Sequence, residues 1–177
     1  DAFAAQTYRK IIERLFHSNA PNAHLYIDKQ KGGDGEIGLR VGNAPYFGVI
    51  NVGDSDTLLK LCESNDLNCE TREFGNNSLF SHINDDDSTI NILIGSKKFS
   101  EGWSSWRVSA MGLMNVGRSE GSEIIQLFGR GVRLKGYKYS LKRSTALDSY
   151  YNPGNLPKGL REIETLNIFG VRADYMD

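Results

Sequence analysis

At 177 residues the chain is long enough for one domain, or one domain with an appendage, and it can bury a substantial core. Its 39% hydrophobic content is ordinary for a globular protein, and no apolar run approaches the roughly 20 residues needed to cross a bilayer. The start, Asp1-Ala2-Phe3-Ala4-Ala5-Gln6, has no basic stretch leading into a long apolar one, so membrane and secretion readings are disfavoured.

The net charge of -1 hides an uneven distribution. Residues 1–90 hold 8 basic and 14 acidic side chains, whereas residues 97–143 hold 10 basic and 3 acidic ones. A basic segment inside an acidic chain favours a local polyanion site. Cys62 and Cys69 are the only cysteines and have neither metal-ligand spacing nor a disulfide framework around them, which fits a reduced, cytoplasmic protein. Cys62 is expected to pack on a helix face.

In chain order, Tyr8, Ile11, Ile12, Leu15 and Phe16 recur at helical spacing, with Arg9, Lys10, Glu13 and Arg14 opposite, and predict an amphipathic first helix. Ser18 to Asn22, with Pro21, ends it. His24 to Lys29 and Glu36 to Val41 read as strands around the Gly32-Gly33-Asp34-Gly35 turn, a hairpin expected to be an insertion on the main fold. Tyr46 to Val52 is an almost continuous apolar run. Gly53-Asp54-Ser55-Asp56 and a helical stretch through Leu58, Leu59, Leu61 and Cys62 follow it, the pattern of a buried strand leading into a capped helix.

The same logic returns at Ile90 to Gly95, and again at Val108 to Met114 before a helix expected near Ser122 to Phe128. Repeated strand-then-helix steps imply an α/β layer fold. Asn76-Asn77-Ser78 and Asp85-Asp86-Asp87-Ser88 read as surface turns, the acidic triplet as a solvated one rather than a cation site. Beyond Arg133 the chain is polar and tyrosine-rich. It regains a strand-like run at Thr165 to Val171, expected as a tail packed on the same lobe.

Chemistry concentrates in two places. Gln126-Leu127-Phe128-Gly129-Arg130-Gly131-Val132-Arg133 has the spacing Q-x-x-G-R-G-x-R. Two arginines three residues apart on a helix share a face, so Arg130 and Arg133 can point into one cleft, with Gln126 one turn earlier on that face. A guanidinium never deprotonates and presents a planar fork of donors, which suits it to charge developing on a transferring phosphoryl group. The glycines beside Arg130 are expected to leave that surface open to a ligand or a facing lobe. The second place is Ser96-Lys97-Lys98-Phe99-Ser100-Glu101-Gly102-Trp103, directly after the buried strand Ile90 to Ile94, where doubly wound sheets gather their ligands. Lys97 and Lys98 add charge for a phosphate backbone. Of Trp103 and Trp106, which could stack on bases, at least one is expected to pack in the fold.

These motifs resemble motifs V and VI of the superfamily 2 helicases and translocases, within the DEAD/DEAH-like group. The likeness is greatest to the Res (motor and nuclease) subunit of type III restriction systems. Tyr46 to Asp56 stands in the motif IV position, and the resemblance covers most of Tyr46 to Leu134. It implies a RecA-like, P-loop NTPase second lobe: a largely parallel sheet flanked by helices, as a single domain over 1–177. Within it, 1–45 would be the N-terminal helix and hairpin, 46–134 the motif-bearing core and 135–177 a C-terminal extension.

The resemblance further implies that Arg130 and Arg133 act catalytically and that Gly102, Ser104, Gln126 and Gly129 lie at the nucleotide. Gly53, Ser96, Lys97 and Lys98 would contact nucleic acid. Ser104 departs from the family's usual aspartate. The cofactors implied for a complete motor are ATP and Mg2+. The partners implied are an N-terminal RecA-like lobe, DNA and a methyltransferase or specificity subunit.

The chain contains no G-x-x-x-x-G-K-[ST] phosphate loop and no D-E-x-H-type metal-binding strand, and Gly32 to Gly35 lack the lysine and hydroxyl that would follow in a phosphate loop. By itself it is therefore expected to hydrolyse nothing. The competing expectation is a non-catalytic nucleic-acid-binding module on a relic helicase lobe.

Overall fold

The computed structural model describes residues 2–20, 22–31, 35–73, 78–96, 104–115, 121–132, 139–147 and 156–173. The chain forms two compact units, Asp1–Glu101 and Gly102–Asp177. Among the described residues no helix is long and apolar enough to cross a membrane.

The first unit contains helix α1 (Ala2–Phe16), strands β1 (Leu25–Lys31), β2 (Glu36–Val41) and β3 (Gly48–Asn51), helix α2 (Ser55–Ser64), and strands β4 (Asn68–Glu73) and β5 (Ile92–Gly95). The strands make one sheet in the order β4-β1-β2-β3-β5. β1 pairs parallel with β4 and β3 parallel with β5, while β2 is antiparallel to both β1 and β3. Four of the five strands thus run one way, an α/β arrangement with a largely parallel sheet.

The hairpin at 24–41 forms, but not as an insertion. β2 is the central strand, with Ile37 fully buried and Leu39 nearly so. A strand flanked on both sides satisfies its backbone groups, and its apolar side chains lie under the middle of the packed layer, so these residues gain more at the centre than at the rim.

Side chains alternate across a sheet, and directly paired residues share a face. Ile27, Leu39 and Gly48 fall on one face, as do Ile37, Ile50, Cys69 and Ile92. This face carries the apolar core, in which Ile27, Ile37, Leu39, Phe47 and Leu59 cluster, joined by Phe16 of α1 and by Leu58 and Cys62 of α2. Phe16 meets Phe47 edge-to-face, with ring centroids 4.7 Å apart. The expected packing of Cys62 is found, and Cys69 joins it; burial, then the Cys62 thiol and Glu63, push the Cys69 thiol up. The apolar stripe of α1 is only partly covered, since Phe3, Tyr8 and Ile11 stay largely exposed.

The second face is polar. Tyr26, Asp28 and Gln30 of β1 share it with Gly38 and Arg40 of β2 and with Glu70 and Arg72 of β4. Tyr46 packs on Gly38, where an added Cβ would stand 2.6 Å from the ring, so only glycine fits. Glu36, nearly buried, accepts from Ser78 Oγ (2.5 Å) and from the backbone N–H of Leu79 (2.8 Å), which ties the segment after β4 to this face.

The second unit contains β6 (Ala110–Met114), α3 (Gly121–Gly131), the short helix α4 (Leu160–Ile163) and β7 (Asn167–Val171). β6 and β7 pair in parallel, from Ala110 opposite Asn167 to Met114 opposite Val171. The C-terminal strand-like run therefore pairs with the strand that precedes α3. Ser144, at a single 3-10 turn, is held by Glu164, which accepts from its backbone N–H at 2.8 Å and its hydroxyl at 2.7 Å.

Candidate nucleotide and nucleic-acid interface

Of the ten residues singled out from the sequence, Lys97, Lys98, Gly102 and Arg133 lie outside the described residues. Gly53 and Ser96 belong to the first unit, and Ser104, Gln126, Gly129 and Arg130 to the second.

In the first unit, β3 and β5 are parallel neighbours that end level with each other, Asn51 opposite Gly95. The loops leaving them therefore emerge side by side at the carboxyl edge of the sheet. Ser96 continues the pairing by donating its backbone N–H to Asn51 O at 3.3 Å, and its side chain is exposed. Gly53 has φ +88°, and a Cβ built there would meet nothing within 4 Å among the described residues. The conformation selects glycine, and the open space leaves the backbone approachable.

Asp54 then caps α2, accepting from Thr57 N–H at 3.0 Å and from Thr57 Oγ1 at 2.7 Å. The Thr57 backbone hydrogen bond, seconded by its hydroxyl, holds the Asp54 carboxyl below its ordinary range. Asp56, in the first turn of α2, pairs with Lys29. The amino end of α2 thus already has an anionic partner in the Asp54 cap.

In the second unit α3 is amphipathic. Ile124 is buried, Leu127 and Phe128 are half-buried, and Gln126 and Gly129 are exposed, with Arg130 half-buried. Gln126, Gly129 and Arg130 are related by three and four residues, so the structure brings them together on one helix face. The two glycines beside Arg130 differ. A Cβ at Gly129 would meet nothing within 4 Å among the described residues. A Cβ at Gly131 would stand 2.7 Å from the Leu166 side chain, which corrects the expectation that both glycines leave space for a ligand. Gly131 instead lets the strand-side Leu166 close against the end of α3. Ser104 is exposed, and its neighbour Ser105 is buried, its Oγ accepting from Arg107 N–H at 3.2 Å. Trp106 is half-exposed, and Trp103 lies outside the described residues.

A charged cluster on the polar face of the first sheet includes none of the residues singled out from the sequence. Asp28, fully buried, accepts from Arg40 Nε at 2.6 Å and from Tyr46 Oη at 2.8 Å, with Arg72 Nε 3.3 Å away. Arg40 Nη2 donates to Glu70 at 2.8 Å, and Arg72 donates to the same carboxylate oxygen through Nε and Nη2, both at 3.0 Å. The Arg40 guanidinium also sits 4.2 Å from the centre of the Tyr26 ring.

Burial works against the charge of Arg40, yet the hydrogen bond and charge of Asp28 and the charge of Glu70 outweigh it and raise its pKa. Burial, followed by Asp28, also pushes the Tyr46 phenol up, so it remains a neutral donor. The available signal was the two-residue period: Tyr26, Asp28 and Gln30 alternate with Ile27 and Lys29, and Gly38 and Arg40 alternate with Ile37 and Leu39.

Among the described residues no group of three or more His, Cys, Asp or Glu side chains is placed to hold a metal ion. In the acidic turn, Asp85 pairs with His82 at 2.6 Å. Comparison of the chain with protein-family models, with curated proteins and with solved structures returns no match.

Proposed function

We propose that this chain is the second, RecA-like lobe of an ATP-dependent DNA translocase of superfamily 2, of the type III restriction Res kind. In this reading the chain supplies arginines to a nucleotide site and grips the nucleic-acid backbone. The observation that carries it is the motif Gln126 to Arg133, with Gln126, Gly129 and Arg130 on one face of a helix whose opposite face is packed. The adjacent loop exits after β3 and β5 are consistent with it, since a phosphate backbone running along that edge would meet Gly53 and Ser96.

The Mg-ATP cradle has no counterpart in this sequence, so the complete site requires a facing lobe that carries a phosphate loop. ATP bound there supplies the phosphoryl group. Arg130 and Arg133 would neutralise charge developing on it, a contribution worth orders of magnitude in rate when supplied across an interface. Closure of the lobes on ATP and their release after hydrolysis would advance the gripping loops along one strand.

In a motor that contains both lobes, Arg133→Ala should abolish DNA-stimulated ATP hydrolysis while leaving ATP affinity within a few fold; unchanged turnover refutes the assignment. In the chain by itself, DNA affinity should fall with salt, and neutralising Lys97 should reduce the log–log slope by about 0.9. DNA affinity together with no gain of hydrolysis when a phosphate-loop lobe is supplied would favour a binding module instead.

A further inference from the structure

A cavity of about 770 Å3 opens on the polar face of the first sheet, within the size range of small-molecule sites. Its lining includes none of the residues assigned to nucleotide or nucleic acid, and all of it belongs to the first unit, so a ligand here would be independent of the motor reading.

The walls are held in place by the protein itself. Leu79 is anchored through Glu36, and Thr89 Oγ1 donates to Tyr46 O at 2.7 Å on the other side. The Thr89 carbonyl is bonded in turn by His17 Nε2 at 2.7 Å. A cavity whose walls are pinned in this way keeps its shape without a ligand, which lowers the ordering cost of binding.

The floor is electrically balanced, because Arg40 and Arg72 are matched by Asp28 and Glu70. Above the floor, carboxylates outnumber cations. Asp85 is committed through one oxygen to His82, whereas Asp87 accepts no hydrogen bond among the described residues. A donor is present as well: Arg72 uses Nε and Nη2 on Glu70 and leaves Nη1 without a hydrogen-bond partner among the described residues. Leu79, Ile90, Pro45 and the body of Tyr46 give apolar wall between these polar points.

This combination selects against an anion, which would meet Asp85 and Asp87 with no unpaired cation among the described lining residues to offset them. It also selects against a small hydrated ion, which gains nothing from apolar walls. It suits a flat, uncharged heterocycle with donors on one edge and acceptors on another. We propose that the cavity binds a nucleobase-bearing small molecule in its uncharged, nucleoside form, with Arg72 donating to the base and Asp87 accepting from it.

The test is calorimetric titration of the full chain with adenosine, guanosine, cytidine and uridine, then with their 5′-monophosphates and with spermidine. At least one nucleoside should bind saturably with Kd below about 1 mM, and its monophosphate should bind more weakly. Asp87→Asn and Asp87→Ala, which alter an exposed side chain, should each weaken that nucleoside by roughly tenfold at an unchanged melting temperature. The proposal is overturned if no nucleoside binds, if monophosphates or spermidine bind better than the nucleosides, or if both variants bind as the wild type does.

Discussion

Arg40 Nε donates to Asp28 Oδ2 at 2.6 Å across neighbouring antiparallel strands, and both side chains are almost completely buried. Each charge offsets much of the other's burial cost, with Glu70, Arg72 and the Tyr46 hydroxyl completing the cluster. Asp28→Ala leaves Arg40 buried beside Glu70 alone and strips the Tyr46 hydroxyl of its acceptor, a loss of about 3–5 kcal/mol in urea unfolding. Replacing both partners by apolar side chains, as in Asp28→Leu with Arg40→Met, should recover much of that loss. A double variant no more stable than Asp28→Ala would contradict this account.

Gly38 lies beneath the Tyr46 ring, where a Cβ would approach Cε1 to 2.6 Å and Cδ1 to 2.7 Å. An aromatic ring cannot bend away as a flexible chain end can. Gly38→Ala should therefore cost about 1–3 kcal/mol, even though alanine suits a strand no worse than glycine does. Equal thermal midpoints for the two proteins would rule out this packing.

Gly129 offers the opposite case, an exposed glycine within α3 whose added Cβ touches nothing among the described residues. Gly129→Ala should stabilise the chain by up to about 1 kcal/mol through helix propensity. If the same variant impairs ATP hydrolysis in a two-lobe motor, the loss marks a ligand contact rather than a folding defect. Destabilisation on thermal melting would show that the position is packed.

Asp54 links stability to pH. Thr57 holds its carboxyl below the ordinary carboxylate range in the folded chain, so its charge adds stability that is fully present above the unfolded-state pKa and is lost as pH falls through the folded-state one. Asparagine also caps helices but carries no charge. Asp54→Asn should therefore be less stable than the wild type at neutral pH, and the two unfolding curves should converge in acid. A difference that persists unchanged into strong acid would mean that the charge plays no part.

Much of the layout was legible locally. The apolar runs before Gly53 and Gly95 mark β3 and β5, the Asp54 cap marks α2, and the stretch from Ser122 to Phe128 after a strand-like run marks α3. β4 escaped because Asn68-Cys69-Glu70-Thr71-Arg72-Glu73 is too polar to read as a buried strand. Its Glu70 and Arg72 face the ion cluster instead of solvent, and only β1 and β2 together supply the charges that make this tolerable. The central position of β2 was hidden for a similar reason, since its pairing with β3 depends on contacts that no local periodicity reports.

By itself the sequence determined roughly where α1, α2, α3 and every strand except β4 lie, and that Gln126 and Arg130 share a helix face. These follow from short-range sterics and from the 2.0 and 3.6 residue periods. Only the tertiary structure decided that the hairpin forms the middle of the sheet, that Gly131 makes room for Leu166 rather than for a ligand, and that Asp28, Arg40, Glu70 and Arg72 meet beside a cavity. Each of these depends on segments distant in sequence becoming neighbours, and the burial and charge pairing that hold them together exist only once the chain has folded.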